Sequence, residues 1–271
     1  MGGTQFTEGE RLMKHKNKIA VLLASHSLTM GMVDQYKDLF KSSSYDFFVL
    51  LHNNNDDVFP SLNQNIPVFK FSDSVLYSLG YKSLTPNLLP GSNHFGLLSF
   101  FCEKNDYCYY WYIEDDVFYN GNWREFLDKF KRRKTDFISS HLIDYVDQPS
   151  WMWWFAITYK NKSIPNELKI RSFNPIYRIS NRALRLIHEK LLQGWCGHHE
   201  VVLPTILKNN DLSICDFGGK GKYVMKKDIN RYYIKDDNNL YLNTMRYRPE
   251  IQESEIKEEL LYHPLKIFRS T

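Results

Sequence analysis

Three carboxylates stand in a row at Glu114, Asp115 and Asp116, inside the run YWYIEDDVFYNGNW at 110–123. Tyr110, Trp111, Tyr112 and Ile113 before them are the aromatic and β-branched types that fit a pleated sheet. Val117 and Phe118 resume the apolar run immediately after. Like charges crowded at a strand end repel one another, so folding alone gains nothing from them. A solvated turn, or pairing with Arg124, Lys129 or Arg132, would relieve the repulsion. So would a hard divalent cation. Mg²⁺ and Mn²⁺ take carboxylate oxygens and leave positions open for substrate phosphates.

The elements around the trio alternate. KIAVLLAS (18–25), YDFFVLLH (45–52), IPVFKF (66–71), residues 107–113 and DFISSHL (136–142) read as buried strands. Helices are expected at 31–41, from Ser92 or Asn93 onward, and at 122–133. Strand alternating with helix predicts an α/β fold with a mainly parallel sheet flanked by helices. Ligands of such sheets sit at the carboxyl ends of strands. The acidic trio lies at such an end, as does the Ser25-His26 pair at the end of the first strand. The polar cluster Asn53, Asn54, Asn55, Asp56 and Asp57 follows the second. The second half is less regular. It holds an aromatic patch with Trp151, Trp153 and Trp154, a strand at 174–179 and a helix over 180–192. A glycine-bearing loop opens a short helix at 194–207, and DFGGKGK (216–222) is glycine-rich. No internal repeat is visible.

Composition narrows the field. The chain has 271 residues, and domains run roughly 50–250 residues, so one large unit after a loose polar leader at 1–17 is expected. That unit would cover 18–271 and divide into halves of about 18–120 and 121–271. A net charge of +4, from 35 basic and 31 acidic residues, lacks the basic stripe of a nucleic-acid binder. No stretch approaches the ~20 apolar residues of a membrane span. The four cysteines, Cys102, Cys108, Cys196 and Cys215, show no CxxC spacing. They read as reduced thiols in a cytoplasmic protein, with contact to the inner face of the membrane left open.

The run IEDDV resembles the DXD element of GT-A-fold glycosyltransferases, here as Glu114-Asp115-Asp116. Taken with NPIYRIS, GWCGHHEVVLPT, DFGGKG and YHPLK, it resembles a little-characterised group of bacterial and fungal GT-A-like proteins. The resemblance spans roughly 18–268. It departs from the usual pattern in having Glu rather than Asp as the first acid. It implies a GT-A-type, Rossmann-like sheet and a metal-dependent transfer of a sugar, hexose or galactofuranose, from a nucleotide-sugar. The donor would be a UDP-sugar, and the acceptor a glycan or lipid-linked glycan in surface polysaccharide synthesis. Asp116, His263 and Glu114 would hold Mn²⁺ or Mg²⁺. Ala24, Ser25, His26, Asn53, Ser92, Asn93, His94, Glu114 and Asp115 would meet the donor. Glu200 would be the general base of an inverting reaction. His198, His199, Trp153, Trp154, Gly218 and Gly219 would face the acceptor.

Two other classes compete. A nucleotidyltransferase or phosphohydrolase could use the same acids for metal and phosphates, although LLASHSLTMG is no GxxxxGK(S/T) loop. A non-catalytic carbohydrate-binding protein would need only the aromatics. The cation reading requires Asp116 and His263 to meet in space although they lie far apart in the chain.

Overall fold

The computed structural model describes residues 18–27, 31, 34–54 and 66–265. The expected leader, together with Asn55, Asp56, Asp57 and Lys266, lies outside the described residues. The described residues form twelve strands: β1 Ile19–Ser25, β2 Tyr45–His52, β3 Val68–Phe71, β4 Tyr109–Glu114, β5 Phe118–Tyr119, β6 Phe137–Asp144, β7 Ile157–Tyr159, β8 Lys162–Ser163, β9 Ile170–Ser180, β10 Trp195–Gly197, β11 Ile214–Asp216 and β12 Leu261–Tyr262. The helices are α1 Lys37–Phe40, α2 Val75–Ser78, α3 His94–Glu103, α4 Trp123–Lys131, α5 Asn181–Leu192 and α6 His199–Lys208.

Seven strands form the central sheet in the order β11-β6-β9-β4-β1-β2-β3. Neighbours run parallel except at β9, which is antiparallel to both β4 and β6. The chain therefore forms a Rossmann-like α/β fold, with a mixed and mainly parallel sheet flanked by helices.

The strands read as continuous apolar runs because both faces are covered. Ala20 and Leu22 of β1, with Tyr110 and Tyr112 of β4, pack into the core that holds α3, α5 and α6. Ile19, Val21, Leu23, Trp111 and Ile113 face the opposite core, which holds α4 and α1. Each of the Val, Leu and Ile side chains among them, fully buried, contributes about 1.5–3 kcal/mol. Helix starts follow their caps. The Asn122 side chain accepts from Glu125 N at 3.0 Å to start α4, and Ser180 accepts from Ala183 N at 3.2 Å to start α5.

Sheet direction and a local irregularity together set where chemistry can sit. Strands β1, β2 and β4 are parallel, so Ser25, His52 and Glu114 end at one edge of the sheet. Strand β6 loses register against β9 between Ile138 and Ile143. Among the described residues, no helix is long and apolar enough to cross a membrane.

Candidate metal centre and nucleotide cleft

Strand β4 runs through Glu114, so the first acid still belongs to the sheet and Asp115 and Asp116 form the turn after it. The Val117 amide closes that turn on the Glu114 carbonyl at 3.1 Å. The chain then enters β5, which pairs with β12 through Tyr119 with Leu261 and Phe118 with Tyr262. The Leu265 amide donates to the Asp116 carbonyl at 2.9 Å. This two-stranded clasp carries His263 to the trio.

One ligand atom from each of Glu114, Asp116 and His263 lies within 4.8 Å of the others. His263 Nε2 is 3.3 Å from Asp116 Oδ1 and 3.9 Å from Glu114 Oε2. His263 Nδ1 is 2.8 Å from the Arg246 carbonyl. A carbonyl only accepts, so Nδ1 carries a proton. Nε2 therefore faces two carboxylates, either protonated or as a lone pair toward a cation. Burial lowers the affinity of this ring for a proton, but Asp116 and Glu114 outweigh it and its pKa is raised. Glu114 is pushed up to about 8, first by burial and then by Asp116, against the pull of His263 and Asn93. One imidazole and two carboxylates are a donor set that suits a divalent cation such as Mn²⁺.

Beside the cluster lies a cleft of about 260 Å³. Ala24, Ser25, His26, Ser92, Asn93, Glu114, Asp115 and Asp116 all line it. Ser25 Oγ donates to Asp115 Oδ2 at 2.5 Å. The bond ties the end of β1 to the acidic turn. Asn93 is a candidate cap for α3 by sequence, but its side chain makes no cap bond. Its amide reaches Glu114 Oε1 at 2.6 Å instead.

Two donor candidates sit elsewhere. Asn53 lines a separate, open cleft with Asn54 and Lys70, because successive strand residues point to opposite faces. Its place in the first cleft is taken by His52, whose Nε2 is 2.8 Å from Asp73 Oδ1 and whose Nδ1 is 3.0 Å from His26 Nδ1. His52 is two residues on from Leu50 and shares its face, so the signal was in the strand period. His94 is buried at the start of α3 rather than on the cleft, and its Nδ1 has no hydrogen-bond partner. Burial, then His198, lowers its pKa to about 3.

Phe71 closes another wall and stacks on His52 at 5.2 Å. Gly96 makes room for it, since a Cβ there would lie 2.6 Å from the Phe71 ring. Gly96→Ala is expected to displace that ring, at about 1–3 kcal/mol for overpacking. Thermal melts should fall accordingly, and a ligand of this cleft should bind more weakly by calorimetry. Unchanged melting and binding would mean Phe71 shifts freely.

Across from the cluster, α6 begins at His199 with His198 as its cap, accepting from Glu200 N at 3.3 Å. Glu200 Oε1 accepts from Asn174 N at 3.4 Å. Burial pushes Glu200 up to about 7, opposed by Arg171, the Asn174 amide and His263. Glu114 in turn feels the Glu200 charge, so the two carboxylates share one electrostatic region.

The aromatic candidates divide. Trp153 is 40% exposed and stacks on His198 at 5.2 Å. Trp151 meets His198 edge-on and lies under Arg171. Trp154 is buried, with Nε1 donating to the Gln148 carbonyl at 2.8 Å, so its face is not open to a sugar. His198 and His199 are buried as well. Gly218 and Gly219 are not open to an acceptor. Both are buried, and a Cβ on Gly219 would lie 2.5 Å from the Tyr233 ring, so they serve packing.

No family model and no curated protein matches the chain. Solved structures similar to it include 4-diphosphocytidyl-2C-methyl-D-erythritol synthase from Anaerococcus prevotii. That structure is 8% identical with a TM-score of 0.44, covering 78% of this chain and 94% of that one. A197 from STIV is 10% identical with a TM-score of 0.30, covering 62% and 67%. A glycosyltransferase involved in glycosylation of the major capsid of PBCV-1 is 11% identical with a TM-score of 0.29, covering 64% and 66%. Likenesses this remote carry no function to this chain.

Proposed function

We propose that the protein is a metal-dependent glycosyltransferase using a nucleotide-sugar, with UDP-sugars the first class to try. One observation carries this reading: Glu114 and Asp116, which line a cleft at the carboxyl ends of β1 and β4, converge with His263. Asp116, His263 and Glu114 would hold Mn²⁺ or Mg²⁺. A cation held there would supply Lewis-acid stabilisation of the charge on the departing diphosphate. Ser25, Asp115 and Asn93 set the side of the cleft that would receive the nucleotide.

The acceptor oxygen attacks the anomeric carbon, the bond from that carbon to the β-phosphate oxygen breaks, and the nucleoside diphosphate departs. The acceptor proton passes to Glu200, which implies inversion. Glu200 suits this role because burial places its pKa near neutrality. Trp153, stacked on the His198 that caps the Glu200 helix, offers an exposed ring for a sugar acceptor. A glycan, free or lipid-linked, is the acceptor class that fits this face.

The test is a donor screen with Mn²⁺ that follows UDP release from UDP-sugars in one arm. A second arm follows pyrophosphate release from nucleoside triphosphates. Release of UDP, raised by a glycan acceptor, supports the reading. Release of pyrophosphate alone would make the protein a nucleotidyltransferase. Glycan binding with neither release would make it a carbohydrate-binding protein.

A further inference from the structure

A short segment that supplies no ligand of its own sits behind His263. His141 lies in the irregular part of β6 with φ 49°, a left-handed backbone uncommon for residues other than glycine. Such conformations persist where the surroundings over-determine them. His141 Nε2 is 2.8 Å from the Met245 carbonyl, so it is the protonated nitrogen. The His141 amide donates to the Tyr233 hydroxyl oxygen at 2.9 Å. That hydroxyl donates to Asp216 Oδ1 at 2.9 Å. Asp216 also accepts from the Gly218 and Leu142 amides, at 3.0 Å each. His141, Asp216, Tyr233 and Met245 are all buried.

The very next carbonyl, that of Arg246, is the one that takes the His263 Nδ1 proton. The backbones are locked together as well, His263 N to Thr244 O at 2.9 Å and Arg246 N to His263 O at 3.0 Å. The Phe173 ring stands against both imidazoles, 5.9 Å from His141 and 5.1 Å from His263. Two histidines thus grip successive carbonyls of one segment, one from the sheet and one from the acidic cluster.

We propose that the Asp216–Tyr233–His141 network is a positioning device for His263. By fixing Met245 it fixes the Arg246 carbonyl, and so holds His263 with Nδ1 protonated and Nε2 presented beside Glu114 and Asp116 for a divalent cation. The inference rests on the cation reading of the proposed function. Partners that orient a ligating histidine typically change metal affinity 10–100-fold when removed.

The experiment titrates the full chain with Mn²⁺ alone and follows the free-ion paramagnetic resonance signal. His141→Asn keeps a residue that tolerates the left-handed backbone but cannot reach Met245. His141→Gln restores length and an N–H donor. Tyr233→Phe removes only the hydroxyl. We expect about 10–100-fold weaker Mn²⁺ binding in His141→Asn, partial recovery in His141→Gln, and a smaller loss in Tyr233→Phe. The ¹⁵N shift of His263 Nδ1 should also move in His141→Asn, which a loss of stability alone would not produce. Equal affinity in wild type and a folded His141→Asn overturns the proposal. If that variant does not fold, unchanged affinity in Tyr233→Phe overturns it. Wild-type protein that binds no Mn²⁺ overturns the underlying cation reading and this inference with it.

Discussion

Asp116→Ala protein is expected to bind UDP no better with Mn²⁺ than with a chelator, and to lose about 10³-fold in transfer rate. The magnitude follows from several kcal/mol of charge stabilisation by a bound cation, at about 1.4 kcal/mol per factor of ten. The variant should stay folded. The bond that joins the acidic turn to the segment after β12 comes from the Leu265 amide to the Asp116 backbone carbonyl, which alanine retains. Removing one of three adjacent carboxylates also relieves repulsion. Calorimetric titration of UDP, with melting curves alongside, separates loss of the site from loss of the fold. Metal-dependent UDP binding that survives in folded Asp116→Ala would remove Asp116 from the centre. His263→Ala should repeat the result, because its Nε2 faces the same carboxylate.

Glu200→Gln is expected to cut kcat by about 10²–10⁴, the usual worth of a general base, while UDP affinity stays the same. The pH profile gives an independent sign. Burial holds the Glu200 proton up to about 7, and only the deprotonated form can accept the acceptor's proton. The wild-type kcat/KM should therefore rise tenfold per pH unit below about 7 and level off above it. A cation at the neighbouring cluster favours the carboxylate and moves this limb to lower pH. Glu200→Gln should lose the limb altogether. Stability runs the other way. The folded pKa lies above the usual 4.5, so the folded state binds the extra proton, and stability falls as pH rises from 4.5 through about 7. Glutamine removes that cost, so the variant's Tm at pH 8 should equal or exceed that of wild type. A Glu200→Gln enzyme with unchanged kcat would assign proton removal elsewhere.

Sequence patterns located the edge of the sheet well and its far side poorly. The apolar runs at 18–25, 45–52 and 107–113 were legible because both faces of those strands are covered, which removes the polar alternation. Their parallel order then put Ser25 and the acidic trio at one edge. The reversal of β9 was not legible, since a strand's direction is set by its neighbours and not by its own residues. Nor were the two-residue strands β5 and β12, which are too short to have a period and yet deliver His263. Asn53 was placed by proximity in sequence, whereas the alternation from Leu50 to His52 decides which side chain enters the cleft. The glycines at 218 and 219 read as acceptor contacts because nothing in the sequence reveals the Tyr233 ring packed against Gly219. Trp154 was indistinguishable from Trp153 by type. One is fixed by a bond to the Gln148 carbonyl and buried, the other stands half open on His198. His141 carried no signal, because its strained backbone is a property of the β6 irregularity.

The most direct measurement is calorimetric titration of wild-type protein with UDP and a panel of nucleoside diphosphates, in Mn²⁺ and in chelator. The cluster beside the Ser25–Asp116 cleft predicts binding of at least one nucleoside diphosphate that appears with Mn²⁺ and vanishes with chelator. Well-folded protein that binds none of them under either condition would contradict it.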